Sequence, residues 1–217
     1  MKSQRRTSII LITLAGLCSL PLYLGSMRFA SAMNSAGQGL SGLAASVLII
    51  VGPGFFLGLT GSIYFVFYER IPSWESCLLF IPACTVALPL SCVPWIAISP
   101  PGNGFNGPQP VFISSALAAG SVGGLIILFS ARILFSPTRM SWGAVGRIIL
   151  MAANCGLWAA VLLKISGGSE SFSIDSPEAT SLFLCWPPGA CFILGLLLRL
   201  EESMGSGPTP NPDPRLS

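Results

Sequence analysis

The chemistry open to this chain is limited by the side chains that it lacks. Its 217 residues include no histidine, so the commonest general base and the usual zinc and haem ligand are missing. The acidic residues all fall in predicted loops or at predicted helix ends, namely Glu69, Glu75, Glu170, Asp175, Glu178, Glu201, Glu202 and Asp213. No pair of carboxylates inside a helix and no glycine-rich phosphate loop is present. We therefore expect no enzymatic activity, no cofactor and no metal.

Seven cysteines raise the question of a redox function. Cys77, Cys84 and Cys92 recur at intervals of seven and eight residues, which places them on one face of a helix. No two cysteines form a CxxC pair, which is the usual mark of thiol–disulfide exchange. Cysteine is also a common small apolar residue in buried positions. We therefore favour structural cysteines over a redox site.

The composition restricts the class of protein more strongly than any motif does. Charged residues make up 9% of the chain and apolar residues 52%, whereas a typical soluble domain is about 25% charged. So few charges cannot cover the surface of a soluble protein of this length. The net charge of +3 is small, and no basic patch with interleaved aromatic residues is present, so nucleic acid is not an expected partner.

Six apolar runs are long enough to cross a membrane, which takes about 20 helical residues. They cover residues 8–27, 40–68, 77–98, 111–135, 144–163 and 179–198. The sequence thus predicts an all-α integral membrane protein, a bundle of six transmembrane helices whose main partner is the lipid bilayer. Residues 1–7 form a short N-terminal segment, and the Pro-, Gly- and Ser-rich residues 201–217 are predicted to be a disordered cytoplasmic tail.

Lysine and arginine set the predicted orientation. With the N-terminus in the cytoplasm, nine basic residues lie on the cytoplasmic side, and only Arg28 and Lys164 lie on the other. The nine are Lys2, Arg5, Arg6, Arg70, Arg132, Arg139, Arg147, Arg199 and Arg215. This positive-inside bias predicts that both termini are cytoplasmic, and it suits the plasma (inner) membrane.

The N-terminus allows two interpretations. Basic residues precede an apolar run, and Ala30, Ser31 and Ala32 have the small-x-small form of a signal-peptidase site. The run of about 20 residues is longer than the 7–15 of a signal peptide, and Arg28 lies just before the site. We favour retention of residues 1–32 as the first span. Cleavage would leave five helices in the same orientation.

Asn154 is the candidate polar residue inside the membrane, because it falls in the middle of the fifth run. A buried amide must find a partner or lose a few kcal/mol of solvation free energy. Either it hydrogen-bonds to a neighbouring helix, which is worth about 0.6 kcal/mol, or it lines a substrate path. We favour the hydrogen bond between helices. Arg132 and Arg147, near the ends of their runs, are predicted only to set topology.

Small and helix-breaking residues predict how the helices pack. Gly54 and Gly58 form a GxxxG pattern in the second run, and Gly120 and Gly124 form another in the fourth. Such faces let two helix backbones approach closely, within the bundle or between proteins. Prolines predict kinks in the third and sixth runs, at Pro82, Pro89, Pro94, Pro187 and Pro188.

An internal repeat would relate the two halves of the chain. An offset of 104 residues pairs Gly16 with Gly120 and Arg28 with Arg132, and one residue more pairs Pro82 with Pro187. Three helices per half would make this a three-plus-three inverted repeat, which in transporters places a binding site between the halves. Glycine, serine, leucine and alanine dominate the chain, so chance matches compete with this interpretation.

Two functions from different classes follow. The first is a non-enzymatic scaffold, assembly or interaction subunit that binds other membrane proteins or itself through small-residue helix faces. The second is a carrier or channel for a small neutral or apolar solute, with a cavity lined by Asn154, hydroxyl groups and kinked-helix carbonyls. An enzyme that uses loop residues such as Glu69, Glu75 or Asp175 is a third, less favoured alternative.

Overall fold

The computed structural model describes residues 8–35, 39–68, 74–98, 109–135, 140–165 and 177–205. These residues form six helices: α1 (Ile9–Ser35), α2 (Gly39–Tyr68), α3 (Trp74–Ile98), α4 (Gln109–Phe135), α5 (Trp142–Ile165) and α6 (Pro177–Gly205). The predicted runs match α2 to α5 to within three residues at each end. The first and last helices are longer at their C-terminal ends than the sequence predicted.

The six helices form a closed ring in which each packs against its neighbours in sequence, and α6 returns to pack against α1. Neighbouring helices are antiparallel. On α2 and α3, for example, Ser62 contacts Cys77 near one end, whereas Gly54 meets Cys84 deeper in the bundle. Because the number of helices is even, the start of α1 and the end of α6 lie at the same end of the bundle. We call this the α1-start end.

The fold is that of a helical membrane bundle. Four stretches are long and apolar enough to cross a membrane by length and composition: Ile9–Ser26, Trp74–Ile98, Ile113–Phe135 and Trp142–Ile165. A shorter apolar stretch, Val51–Phe67, lies in α2. Large apolar side chains such as Leu79, Ile96 and Ile133 are exposed on the outside of the ring, as lipid requires and water would penalise.

Serine side chains begin two of the helices at the α1-start end. The Ser8 hydroxyl accepts from the Leu11 backbone N–H at 3.4 Å, and the Ser141 hydroxyl accepts from the Ala144 N–H at 3.2 Å. Both are N-cap contacts, which satisfy a backbone donor that the first helical turn leaves unpaired. Ser8 is further fixed by Tyr64 of α2, whose hydroxyl accepts from the Ser8 N–H at 3.2 Å.

The prolines predicted to kink helices lie inside continuous helices. Helix α3 runs through Pro82, Pro89 and Pro94 without a break, and α6 runs through Pro187 and Pro188. Continuity is tolerated because neighbouring helices can satisfy the backbone groups that a proline leaves unpaired in lipid. The kinks themselves stay predictions.

Side chains from all six helices fill the interior. The central cluster includes Ile12 of α1, Phe65 of α2, Leu128 of α4, Ile148 of α5 and Leu197 of α6, all fully buried. From α3 come Phe80, Cys84 and Ala87. The first helix therefore supplies part of the core.

The proposed inverted repeat agrees with the helix order but not with the surroundings of the paired residues. Both halves pack in the sequential order that the repeat requires. However, Arg28 is exposed whereas Arg132 is buried, and Gly16 faces α6 whereas Gly120 faces α5 rather than the equivalent α3. Superposition of the two halves would test the repeat, which stays a prediction.

Candidate functional site

Three charged side chains from three helices meet at the α1-start end. Arg132 of α4 places its Nε 2.5 Å from Glu201 Oε2, and Arg147 of α5 places an Nη 3.6 Å from Glu201 Oε1. The Arg132 and Glu201 side chains are only 4% and 10% exposed, whereas the Arg147 side chain is 32% exposed. We call these residues the charge cluster. Its formal charge is +1, and Glu201 lies between the two guanidinium groups.

Helix geometry explains why these residues meet. Arg132 lies in the last turn of α4, Arg147 lies near the start of α5, and Glu201 lies near the end of α6. In a ring of antiparallel helices these three positions are at the same level. A buried charge needs a partner, because its transfer out of water costs several kcal/mol even after relaxation.

Aromatic rings pack in the same layer of the bundle. Phe65 of α2 stacks on Phe135 of α4 with ring centroids 3.8 Å apart, and Phe80 of α3 meets both rings edge-on at 5.9 and 5.2 Å. Each such pair contributes about 0.5–1.5 kcal/mol beyond its area burial. Since Phe135 lies one turn after Arg132, this end of the bundle is joined across α2, α3, α4, α5 and α6.

The charge cluster corrects two expectations. The last span was predicted to end at Leu198 and a disordered tail to begin at residue 201, but α6 continues to Gly205 and buries Glu201. Residues 206–217 lie outside the described residues. Arg132 and Arg147 were expected only to set topology, yet both contact Glu201. Hydropathy along the chain could not reveal this pairing, because it depends on which helices are neighbours.

The predicted packing glycines lie between helices inside the ring. A Cβ atom at Gly54 or Gly58 of α2 would collide with the backbone of α3. At Gly120 it would lie 2.9 Å from the Gly156 Cα of α5, and at Gly124 it would lie 2.6 Å from the Cys155 Cβ. Both GxxxG faces therefore bring backbones together within one chain. They are not exposed surfaces for a second protein.

Several cysteines sit opposite these glycines. Cys84 of α3 faces the glycines of α2, Cys155 of α5 faces Gly124, and Cys191 of α6 faces Gly16 of α1 at 3.0 Å from the position of an added Cβ. The seven cysteines all lie among the described residues, and all are free thiols. The small apolar cysteine side chain occupies the space that each glycine leaves by having no Cβ atom. This favours the structural interpretation of these three cysteines.

Asn154 differs from both interpretations offered by the sequence. It is exposed on the outer face of α5, and its Nδ2 donates to the Leu150 carbonyl of its own helix at 2.8 Å. It makes neither a hydrogen bond to another described helix nor a contribution to the interior of the ring. The sequence located the residue in mid-span but could not show which way it points, because α5 is apolar on almost every side.

Two tryptophans that the sequence analysis did not single out make contacts between helices away from the charge cluster. Trp158 of α5 lies over Gly189 of α6, where any Cβ would collide with the indole, and its Nε1 donates to the Cys185 carbonyl at 3.1 Å. Trp186 of α6 points inward and contacts Gly123 of α4. Its Nε1 is buried and has no hydrogen-bond partner among the described residues.

The described side chains offer no group of three or more metal ligands. Within the described ranges, no three His, Cys, Asp or Glu residues gather closely enough to hold a metal ion. The charge cluster contains one carboxylate held by two arginines, which suits a structural ion pair better than a proton donor. Comparison with known proteins found no matching family model, no matching curated protein and no matching solved structure.

Proposed function

We propose that this protein is a non-enzymatic membrane protein that acts by binding other membrane proteins, as a scaffold, assembly or interaction subunit. The observation that carries the proposal is the location of Asn154. A carrier for a polar solute needs hydrogen-bonding groups that face its interior, and the mid-span amide faces outward instead.

The packing of the interior supports the same proposal. The centre of the ring is occupied by apolar side chains and by cysteines set against glycines. Buried serines such as Ser19, Ser91 and Ser115 donate to carbonyl groups of their own helices, three or four residues earlier. Hydroxyl groups engaged in this way have no further hydrogen to donate to a passing solute.

The proposed location is the plasma (inner) membrane, with both termini in the cytoplasm. Arg132, Arg147 and Arg199 support this orientation, since all three lie towards the α1-start end. Trp74 and Trp142 begin α3 and α5 at the same end and are 70% and 92% exposed. Exposed tryptophans at helix ends are typical of the interface between membrane and water.

A test of the interaction function is purification of the tagged full-length protein after chemical cross-linking in intact cells. We expect defined membrane-protein partners, or the chain itself, in cross-linked species that a second tagged membrane protein of similar size does not produce. Recovery of the same background with both baits would contradict the proposal.

The second candidate, a carrier or channel for a small neutral or apolar solute, is favoured by Trp186. Its buried indole N–H has no partner among the described residues, and its ring packs against Gly123 of α4. A ligand inside the ring of helices could accept a hydrogen bond from it. The test is solute flux into proteoliposomes, followed by light scattering with glycerol and urea. Flux that Trp186→Phe abolishes and Trp158→Phe preserves would establish transport and overturn the interaction proposal.

A further inference from the structure

We propose that a second copy of this chain docks on the outer face of α5, with the two Asn154 amides paired across a two-fold axis. This inference deepens the proposed interaction function, on which it rests, by naming the partner. It starts from the hydrogen-bonding capacity of one side chain. An asparagine amide has two N–H donors and a carbonyl oxygen with two lone pairs.

The bond to Leu150 uses only one of these groups. Asn154 therefore retains one N–H and its Oδ1 without a partner among the described residues. Serine and threonine hydroxyls in the other helices differ, because one bond to their own backbone uses their only donor, as at Ser121. Among exposed polar side chains inside a span, the asparagine has the larger unmet capacity.

The depth of Asn154 in the membrane makes its unpaired N–H and Oδ1 energetically costly. It lies 12 residues after Trp142 and 11 before Ile165, at the midpoint of α5. A rise of about 1.5 Å per residue places it roughly 17–18 Å from either end of the helix, near the centre of a bilayer. No water is available there, so only another protein group can satisfy the amide.

The surroundings of Asn154 suit a close helix contact. The exposed face of α5 carries Gly143, Gly146, Leu150, Ala153, Leu157 and Val161. A Cβ atom at Gly146 would meet nothing within 4 Å, so the backbone is open to an approaching helix on that face. Small residues on one side of a span allow two backbones to approach. The buried GxxxG faces of α2 and α4 cannot serve, since α3 and α5 already cover them.

The partner is identified by the amide itself. In a two-fold contact the same residue of both copies can lie on the axis. Each Nδ2–H then donates to the Oδ1 of the other copy, so the two unmet groups of both copies are satisfied at once. A second copy meets this requirement without any additional residue.

The first test measures dimerisation of the full-length protein in phosphatidylcholine vesicles. A C-terminal fluorescent protein reports energy transfer between copies as the ratio of protein to lipid is varied. We expect a dimer whose dissociation constant rises about 3- to 30-fold in Asn154→Leu, the range that membrane hydrogen bonds of this kind support. Asn154→Gln retains an amide and should recover most of the affinity.

A matched pair of bulky substitutions tests the face of the bundle. Leu157→Trp adds volume beside Asn154, whereas Val86→Trp adds it on the exposed face of α3. Both residues face outward in the single chain, so neither variant should lower its thermal stability. We expect Leu157→Trp to weaken the dimer and Val86→Trp to leave it unchanged.

The outcomes separate this inference from the function on which it rests. A protein that stays monomeric at every protein-to-lipid ratio, or a dimer indifferent to both Asn154→Leu and Leu157→Trp, would overturn the inference. A monomer that instead binds a different membrane protein through α5 would overturn the second copy as partner and leave the interaction function standing. Solute flux through a dimer that depends on Asn154 would refute the interaction function while supporting this contact.

Discussion

Substitution of Glu201 by glutamine tests whether the charge cluster holds the end of the bundle together. The variant keeps the shape of the side chain and removes the negative charge between Arg132 and Arg147. Arg132 would then lose the carboxylate charge of Glu201 while its own side chain stays buried, because that side chain is only 4% exposed. Breaking a buried ion pair by removal of one partner costs about 3–5 kcal/mol.

The lower end of that range fits this site. The cluster lies at the ends of its helices, near the membrane surface, where water can partly solvate a displaced guanidinium. The contact with Arg147 adds little, because that side chain is 32% exposed and screened by water. A loss of about 3 kcal/mol corresponds to a fall in melting temperature of roughly 6–12 °C for a chain of this size. The melting temperature is measured as the temperature at which half of the protein is no longer monodisperse after heating in detergent.

Two further variants make the test specific. Glu202→Gln removes the next, exposed carboxylate and should cost at most about 1 kcal/mol. Replacement of both Arg132 and Glu201 by leucine removes both buried charges and should recover more than half of the lost stability. Our account of the cluster would be wrong if Glu201→Gln melted within 2 °C of the wild type, or if the double variant were the least stable of all.

Three other predictions follow from the packing and the orientation. Gly124→Leu should destabilise the bundle by about 1–3 kcal/mol, because its Cβ would lie 2.6 Å from the Cys155 Cβ. Gly25→Leu is the control and should leave the stability unchanged, because a Cβ at Gly25 meets nothing within 4 Å. Thermal melts in detergent compare the two variants. Trp158→Phe should cost about 0.5–1.5 kcal/mol through the lost hydrogen bond to α6, measured in the same way. Reporter fusions should be active outside after residue 107 and inside at the C-terminus, and an external C-terminal reporter would reverse the orientation.

The sequence predicts the helices well, because hydropathy and length are properties of a single segment. Glycine spacing also identified Gly54, Gly58, Gly120 and Gly124, which all lie at close backbone contacts. The sequence could not show which helices are neighbours in the bundle.

Glu201 illustrates this limit. Read along the chain, it is one charged residue in a polar tail, and only the position of α6 beside α4 and α5 turns it into a buried partner. The prediction that Asn154 bonds to a neighbouring helix was wrong for a different reason. Its depth was predictable, but in a helix that is apolar nearly all round no polar stripe indicates which side faces lipid.

The charge cluster also has a consequence for how the chain is made. Arg132 and Glu201 are 69 residues apart, so at ribosomal speeds of about 5–20 residues per second the arginine waits roughly 3–14 s before its counter-charge is synthesised. Over that interval the first four helices can insert, but α6 is absent. The ring of helices is therefore still open, and Glu201 has not yet reached Arg132. A nascent chain that stops before α6 thus carries Arg132 at its open edge without the carboxylate that contacts it in the finished bundle. The Arg132–Glu201 contact therefore forms only after the last helix has been made, and its presence distinguishes a finished copy from an unfinished one.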